Sequence, residues 1–171
     1  MSTRSNIAIK RTNGTRTGIY CHYDGYIEGV GVTLQLAYNT AEKVEELLKL
    51  GNLSILGYYT ESRDTKENGT IAYHRDRGEA LEFWDEEQEY NYVFDEFEGV
   101  WYVEATIWGR DSYATRILYL HGYEGKMRRL LLDALAEVSW DKVGWVDDEF
   151  AKKDEILERC VEKAREGREA C

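Results

Sequence analysis

The sequence lacks the long apolar stretches that membrane-spanning and secreted chains carry. No apolar run approaches the roughly 18–20 residues that a transmembrane helix needs. The first twenty residues contain Arg4, Lys10, Arg11 and Arg16 but no apolar block of the kind found in a signal peptide. We therefore expect a soluble protein with a cytoplasmic location and no membrane partner.

Cysteine and histidine are scarce, with three of each. Cys21, Cys160 and Cys171 are an odd number of widely spaced thiols, which argues against a disulfide framework. There is no CxxC or HExxH motif and no aspartate-rich loop, so we expect no metal site and no cofactor. A glycine-rich phosphate loop, a GxSxG nucleophile motif and a basic helix-turn-helix are also missing, so no ordinary enzyme class is indicated.

Positive charge is in deficit, since the formal net charge is −11. A surface of this sign repels phosphates, so direct binding to nucleic acid is not expected. The charge is distributed unevenly along the chain: residues 1–20 hold four basic side chains and no acid, whereas residues 82–98 hold eight acids and no Lys or Arg. A local basic patch is therefore compatible with the composition.

The length and the residue pattern predict one domain over residues 1–171. Short alternating segments joined by tight turns favour antiparallel pairing, and several amphipathic segments favour helices. We expect an α+β fold with an antiparallel sheet of about five to seven strands packed with three or four helices.

The pattern also locates the individual elements. Asn13-Gly14 between two alternating runs predicts a hairpin in which both residues have positive φ. Asn39 is the expected N-cap of a helix that ends near Gly51. Strands are expected at Ser5–Lys10, Arg16–Tyr23, Thr70–His74, Tyr90–Phe97, Val100–Trp108 and Ser112–Leu120, and helices at Val32–Tyr38, Met127–Val138 and Phe150–Ala164, with a connection at Ser139–Val146.

The first candidate site follows the second strand. Adjacent residues in a strand point to opposite faces, so Cys21 and His22 cannot act together as nucleophile and base, and Cys21 is expected to be buried. Tyr20, His22 and Asp24 share the other face, and Tyr26 follows between glycines. Asp24 is expected to orient His22 or raise its proton affinity. The alternative is a structural histidine, with Asp24 opening an Asx-turn before Gly25.

The second candidate site is the segment Tyr73–Glu79. His74 and Asp76 are expected to face outward, and Arg75 and Arg77 carry planar guanidinium groups that suit phosphate or carboxylate. Because acids flank both arginines, internal salt bridges are the alternative interpretation. His121 has no acidic or thiol neighbour in the sequence and is expected to be structural.

A third feature is the acidic, aromatic segment 82–98. A band of carboxylates can imitate a phosphate backbone and block a nucleic-acid-binding cleft. The alternative is a solvated edge that prevents sheet aggregation. Tyr and Trp outnumber Phe by eighteen to four, which is typical of ligand pockets and interfaces but also of a half-exposed sheet face.

In four segments the chain resembles a family of small proteins from tailed phages and prophages. The resembling segments are Met1–Ser5, Ile19–Tyr26, Lys43–Gly51 and Tyr73–Glu79. The resemblance covers roughly the first half of the chain and implies a context rather than a catalytic role. Accessory phage proteins often counter host defence inside the infected bacterial cell, by binding a host protein or by capturing a nucleotide signal.

Together these observations favour an accessory protein over an enzyme, one that sequesters an anionic nucleotide-like ligand without turnover. The expected ligand-binding residues are Tyr20, His22, Asp24, Tyr26, His74, Arg75 and Arg77, in a homo-oligomer with pockets near the subunit contacts. One alternative is an acidic inhibitor of a host nucleic-acid-binding defence protein. The other is a nucleotide-processing enzyme with His22 or His74 as general acid–base.

Overall fold

A computed structural model describes residues 2–83, 86, 88–106 and 126–135. Within these ranges the chain forms eight strands. They are β1 Ser5–Lys10, β2 Arg16–Cys21, β3 Leu53–Ile55, β4 Tyr59–Ser62, β5 Gly69–Ala72, β6 Tyr90–Asp95, β7 Val100–Thr106 and β8 Lys126–Leu130.

The strands lie in the order β4-β5-β3-β2-β1-β6-β7-β8. The seven strands other than β4 form one continuous ladder. Strand β4 joins the edge of this ladder through an irregular parallel pairing with β5. Antiparallel pairs join β1 to β2, β3 to β5, β6 to β7 and β7 to β8, whereas β1 with β6 and β2 with β3 are parallel. The sheet is thus mixed and mostly antiparallel, which confirms the predicted α+β class.

The helices are short. One π-helical turn at Ile27–Gly31 continues into α1 at Val32–Ala37, followed by α2 Ala41–Leu48, α3 Tyr73–Arg77 and α4 Leu131–Leu135. Thr40 caps α2, since its side chain accepts a hydrogen bond from the Lys43 amide at 3.3 Å. The predicted cap at Asn39 is therefore wrong by one residue. Gly51 follows α2 with φ +70°, as its place after the helix predicts.

The core lies on the face of the sheet that the helices cover. Alternation along β1 buries Ser5, Ile7 and Ile9, and the neighbouring strands bury residues in register with them. The register pairs Ile7 with Ile19 and with Tyr92, and Ile9 with Phe94. Cys21 is fully buried on this face, as predicted. The opposite face carries Tyr20, because strand neighbours alternate between the two faces.

Two local predictions are corrected by the structure. The β1–β2 hairpin exists, but its turn is closed by a hydrogen bond from the Arg11 amide to the Thr15 carbonyl, and only Gly14 has positive φ. Residues 126–130 form β8 rather than the start of a helix, because they pair with the exposed edge of β7. The predicted elements Ser112–Leu120, Ser139–Val146 and Phe150–Ala164, as well as His121, lie outside the described residues.

Candidate functional site

Tyr20 and His22 form the centre of the site, at the end of the sheet where β2 stops. The Tyr20 hydroxyl and His22 Nδ1 are 2.6 Å apart, so the two side chains share a hydrogen bond on the face away from the helices. The rings are tilted at 60° with centroids 5.9 Å apart. Tyr20 therefore fixes the orientation of the His22 ring, a role that the sequence pattern assigned to Asp24.

Asn52 links the end of β2, which carries Tyr20, to the start of α3 at Tyr73. Its buried side chain accepts a hydrogen bond from the Tyr20 amide at 3.0 Å, and its carbonyl accepts one from the Tyr73 amide at 3.2 Å. Beyond β2, the His22 and Tyr23 amides donate to the Leu53 and Ser54 carbonyls of β3. The end of β2 and the start of α3 are thus held on either side of the same short strand.

Aromatic rings gather at this corner of the sheet. The Tyr23 ring meets His22 edge-on at a centroid distance of 4.5 Å and stays 45% exposed. Burial raises the pKa of Tyr73, a hydrogen bond with Ser54 lowers it, and the nearby Glu79 carboxylate raises it; Cys21 and Tyr23 are also among its neighbouring groups. Burial also raises the pKa of Tyr20, with Tyr73 and Tyr23 among the nearby groups that contribute. We call Tyr20, His22, Tyr23 and Tyr73 the ring cluster.

Arg4 is the cation next to the ring cluster. It precedes Ser5, which pairs with Cys21, and strand alternation places it on the same face as Tyr20. Its positive charge lowers the pKa of Tyr20 and partly offsets the effect of burial. The Arg4 side chain is exposed, and it makes no ion pair within the described part of the chain. No motif in the sequence indicated Arg4 as part of the site.

Asp24 and Tyr26 lie at the outer rim and contact each other. The Tyr26 hydroxyl donates to Asp24 Oδ1 at 3.1 Å, and burial together with the Asp24 charge raises the pKa of Tyr26. Asp24 has φ +58°, and its carbonyl accepts a hydrogen bond from the Val30 amide. The Asp24 carboxylate is therefore directed to Tyr26, and this segment serves as a turn into the π-helical residues.

The segment Tyr73–Arg77 is one turn of helix and not the continuation of β5. The alternating pattern predicted for it is wrong because Asp76 folds back on the start of the turn. The Asp76 carboxylate accepts a hydrogen bond from the Ala72 amide at 2.8 Å and retains only 5% side-chain exposure. His74 is exposed, with Nδ1 2.9 Å from the Glu79 carbonyl.

Arg75 is exposed, but its guanidinium group is occupied by hydrogen bonds within the chain. Its guanidinium donates to both oxygens of Asp76, at 3.1 and 2.9 Å, to the Thr70 carbonyl at 2.9 Å and to the Thr60 carbonyl. It lines an open cleft with Glu46, Lys49, Leu50, Thr60 and Glu61, a set that contains no member of the ring cluster. Arg75 thus ties α3 to β4 and β5, as the salt-bridge alternative anticipated.

Arg77 keeps more of its surface. Its side chain is 46% exposed and lies 4.0 Å from the exposed carboxylate of Asp64, a weak surface pair. It also donates to the Asp76 carbonyl at 3.4 Å. Of the seven predicted residues, Tyr20 and His22 are in direct contact, Asp24 pairs with Tyr26, and Arg75 is engaged elsewhere.

Within the described ranges there is no group of three His, Cys, Asp or Glu side chains arranged to hold a metal ion. The helices in these ranges include none that is long and apolar enough to cross a membrane. A scan against protein-family models, a search of curated proteins and a search of solved structures each found no significant match.

Proposed function

We propose that the protein is a phage-type accessory factor that captures an anionic nucleotide-like ligand at the ring cluster without chemical turnover, and so removes a defence signal inside the host cell. The observation that carries this proposal is the position of Arg4, an exposed cation that makes no ion pair in the described part of the chain and lies near Tyr20 of the ring cluster. Aromatic faces stack on nucleobases, and a guanidinium binds phosphate through charge-assisted hydrogen bonds.

The structural roles within the site differ from residue to residue. Tyr23 and Tyr73 offer ring surface for a base, and His22 is oriented by Tyr20. His74 and Arg77 lie on the neighbouring exposed turn, where they extend the positive side of the site. Arg75 supports that turn through its hydrogen bonds to Asp76 and to the Thr70 carbonyl.

Isothermal titration with cyclic dinucleotides and ADP-ribose-type nucleotides tests the proposal. We expect one of these ligands to bind the wild type and to bind about tenfold more weakly to Arg4→Ala and Tyr23→Ala, since each change removes a charge-assisted or stacking contact. Lys43→Ala is the matched control, because Lys43 is an exposed cation on α2 away from the ring cluster. The absence of binding by every nucleotide would refute the proposal.

The state of the recovered ligand separates capture from catalysis. A ligand released chemically unchanged after heat denaturation of the complex agrees with sequestration. Conversion of the ligand, abolished by His22→Ala or His74→Ala, would establish the enzyme alternative instead.

A second candidate function is inhibition of a basic, nucleic-acid-binding partner by the acidic segment 82–98. The observation that favours it is Phe83, which is 59% exposed among exposed acids. Reversing charge with Glu86→Lys and Glu89→Lys should weaken such inhibition, more so at low salt, and leave nucleotide binding intact.

A further inference from the structure

Asn52 is a polar residue that the fold buries beside the ring cluster. It lies just before β3, and only 7% of its surface is exposed. Its backbone amide donates to the Glu82 carbonyl at 2.9 Å, and its backbone carbonyl accepts a hydrogen bond from the Tyr73 amide at 3.2 Å. Both backbone polar groups are therefore satisfied within the chain.

The side chain of Asn52 is held in one orientation. Its Oδ1 accepts a hydrogen bond from the Tyr20 amide at 3.0 Å. Because a backbone amide can only donate, this bond identifies which branch of the side-chain amide is the oxygen and which is the nitrogen. The bond also extends the pairing of β2 by one step, since the His22 amide donates to the Leu53 carbonyl of β3.

The other branch of this amide, Nδ2, is an unused donor. Within the described ranges it donates to no protein acceptor. It is not one of the fully enclosed polar atoms that lack a partner, such as Ser5 Oγ, so it keeps a small contact with solvent. A donor on a side chain that is nine-tenths buried and already oriented loses little conformational entropy when a ligand accepts its hydrogen bond.

This donor lies between the two parts of the ring cluster. The Asn52 side chain contacts the backbone of Tyr20, and the Asn52 carbonyl contacts the backbone of Tyr73. Tyr20 in turn is bonded to His22, which meets the Tyr23 ring edge-on. Aromatic faces hold a base by stacking, which tolerates any base, so a hydrogen bond to the edge of the base is needed to distinguish one base from another.

We infer that Asn52 is a specificity-determining residue of the ring cluster, whose Nδ2 donates a hydrogen bond to a carbonyl oxygen on the base of the captured ligand. This inference rests on the proposed capture of a nucleotide-like ligand and names the class of base. An asparagine that recognises adenine uses its donor and its acceptor together. Here the acceptor is engaged by the Tyr20 amide. A base with a carbonyl group, such as hypoxanthine or guanine, is therefore favoured over adenine.

Arg4 and Asn52 divide recognition between phosphate and base. The guanidinium of Arg4 carries a charge that suits phosphate, which every nucleotide has. The Asn52 side chain is neutral, and its donor distinguishes an acceptor from a donor on the base. Arg4→Ala should therefore weaken the binding of all nucleotides alike, whereas a change at Asn52 should alter the preference among bases.

Isothermal titration of the wild type with matched ligand pairs tests the inference without altering the protein. The probes are cyclic dinucleotides and ADP-ribose, each compared with its analogue in which hypoxanthine replaces adenine, so that a carbonyl oxygen replaces an amino group. We expect the hypoxanthine form to bind at least about tenfold more tightly, the size of effect of one hydrogen bond. Equal affinity, or tighter binding of the adenine form, would overturn the inference and leave the proposed capture intact. Failure of every probe to bind would refute both.

Asn52→Asp tests the residue itself. The variant keeps an oxygen for the Tyr20 amide but replaces the Nδ2 donor with a second acceptor, so the preference should reverse towards adenine, whose amino group donates. Asn39→Asp is the matched control, because it adds the same charge at an exposed asparagine between α1 and α2 and should keep the hypoxanthine preference. The ratio of the two affinities is compared, so that a general weakening by the added charge cancels. An unchanged hypoxanthine preference in folded Asn52→Asp would overturn the inference, and the wild-type titration decides it if urea unfolding shows that this variant does not fold.

Discussion

Asp76 is the residue whose replacement tests the structure most directly. Burial raises the pKa of its carboxyl, but hydrogen bonds from Arg75, the Ala72 amide and Ser62 lower it more strongly, to about 2. The carboxylate is therefore stabilised in the folded chain relative to the unfolded chain, where its pKa is 3.8. We predict that Asp76→Asn lowers the free energy of unfolding by about 2 kcal/mol at pH 7, since lowering a pKa by one corresponds to about 1.4 kcal/mol.

The direction of the pKa shift of Asp76 determines how its contribution to stability changes with pH. Because the pKa is lower in the folded state, the stabilisation is complete above about pH 5 and declines as the pH falls from about 4 towards 2. About half of the difference between wild type and Asp76→Asn should be gone at about pH 3. Comparing the two proteins by urea unfolding at each pH isolates Asp76 from the other acids, whose titration both proteins share.

Asp64→Asn is the control for this measurement. Asp64 is an exposed aspartate whose carboxylate lies 4.0 Å from the Arg77 guanidinium. Its replacement should change the free energy of unfolding by less than about 0.5 kcal/mol at either pH. The interpretation of Asp76 fails if Asp76→Asn is as stable as the wild type at neutral pH, or if the difference does not narrow in acid.

Three further outcomes are expected. Tyr92→Phe removes the hydrogen bond from a fully buried hydroxyl to the Gly25 carbonyl, 2.7 Å away, and should cost about 1–2 kcal/mol in urea unfolding. Gly25→Ala places a Cβ 2.8 Å from the backbone of Arg4, so it should lower the free energy of unfolding by about 1–3 kcal/mol. It should also weaken nucleotide binding in titration, and unchanged binding would show that Arg4 is not part of the ligand site. Burial raises the pKa of the Cys21 thiol to about 12, so a thiol reagent should label Cys21 only after unfolding, in a variant whose other two cysteines are serine.

The sequence predicted the elements in which a local pattern and the tertiary environment agree. Alternation located β1 and β2, and the glycine after α2 marked the end of that helix. The apolar pattern from Met127 to Val138 predicts a helix, yet its first residues belong to the strand Lys126–Leu130. Their conformation depends on the free edge of β7, and such long-range pairing leaves no local signal.

The candidate site shows the same division between local and long-range information. Strand alternation correctly placed Tyr20 and His22 on one face, because that inference needs only the neighbouring residues. Asn52 could not be found in this way. Its two contacts join segments that are brought together by the fold, and the sequence around it indicates only a connection after α2.

The surroundings of Arg75 and Arg4 in the fold could not be inferred from their neighbours in the sequence. A guanidinium flanked by histidine and tyrosine resembles an anion-binding group, but Arg75 donates to Asp76 and to the Thr60 and Thr70 carbonyls. Arg4 makes no ion pair within the described residues. It immediately precedes β1, in a segment that carries no obvious binding motif. Whether an arginine can bind a ligand depends on the acceptors that folding brings to it. Replacement of Arg75 should therefore act first by destabilising α3, whereas replacement of Arg4 should act first on ligand binding.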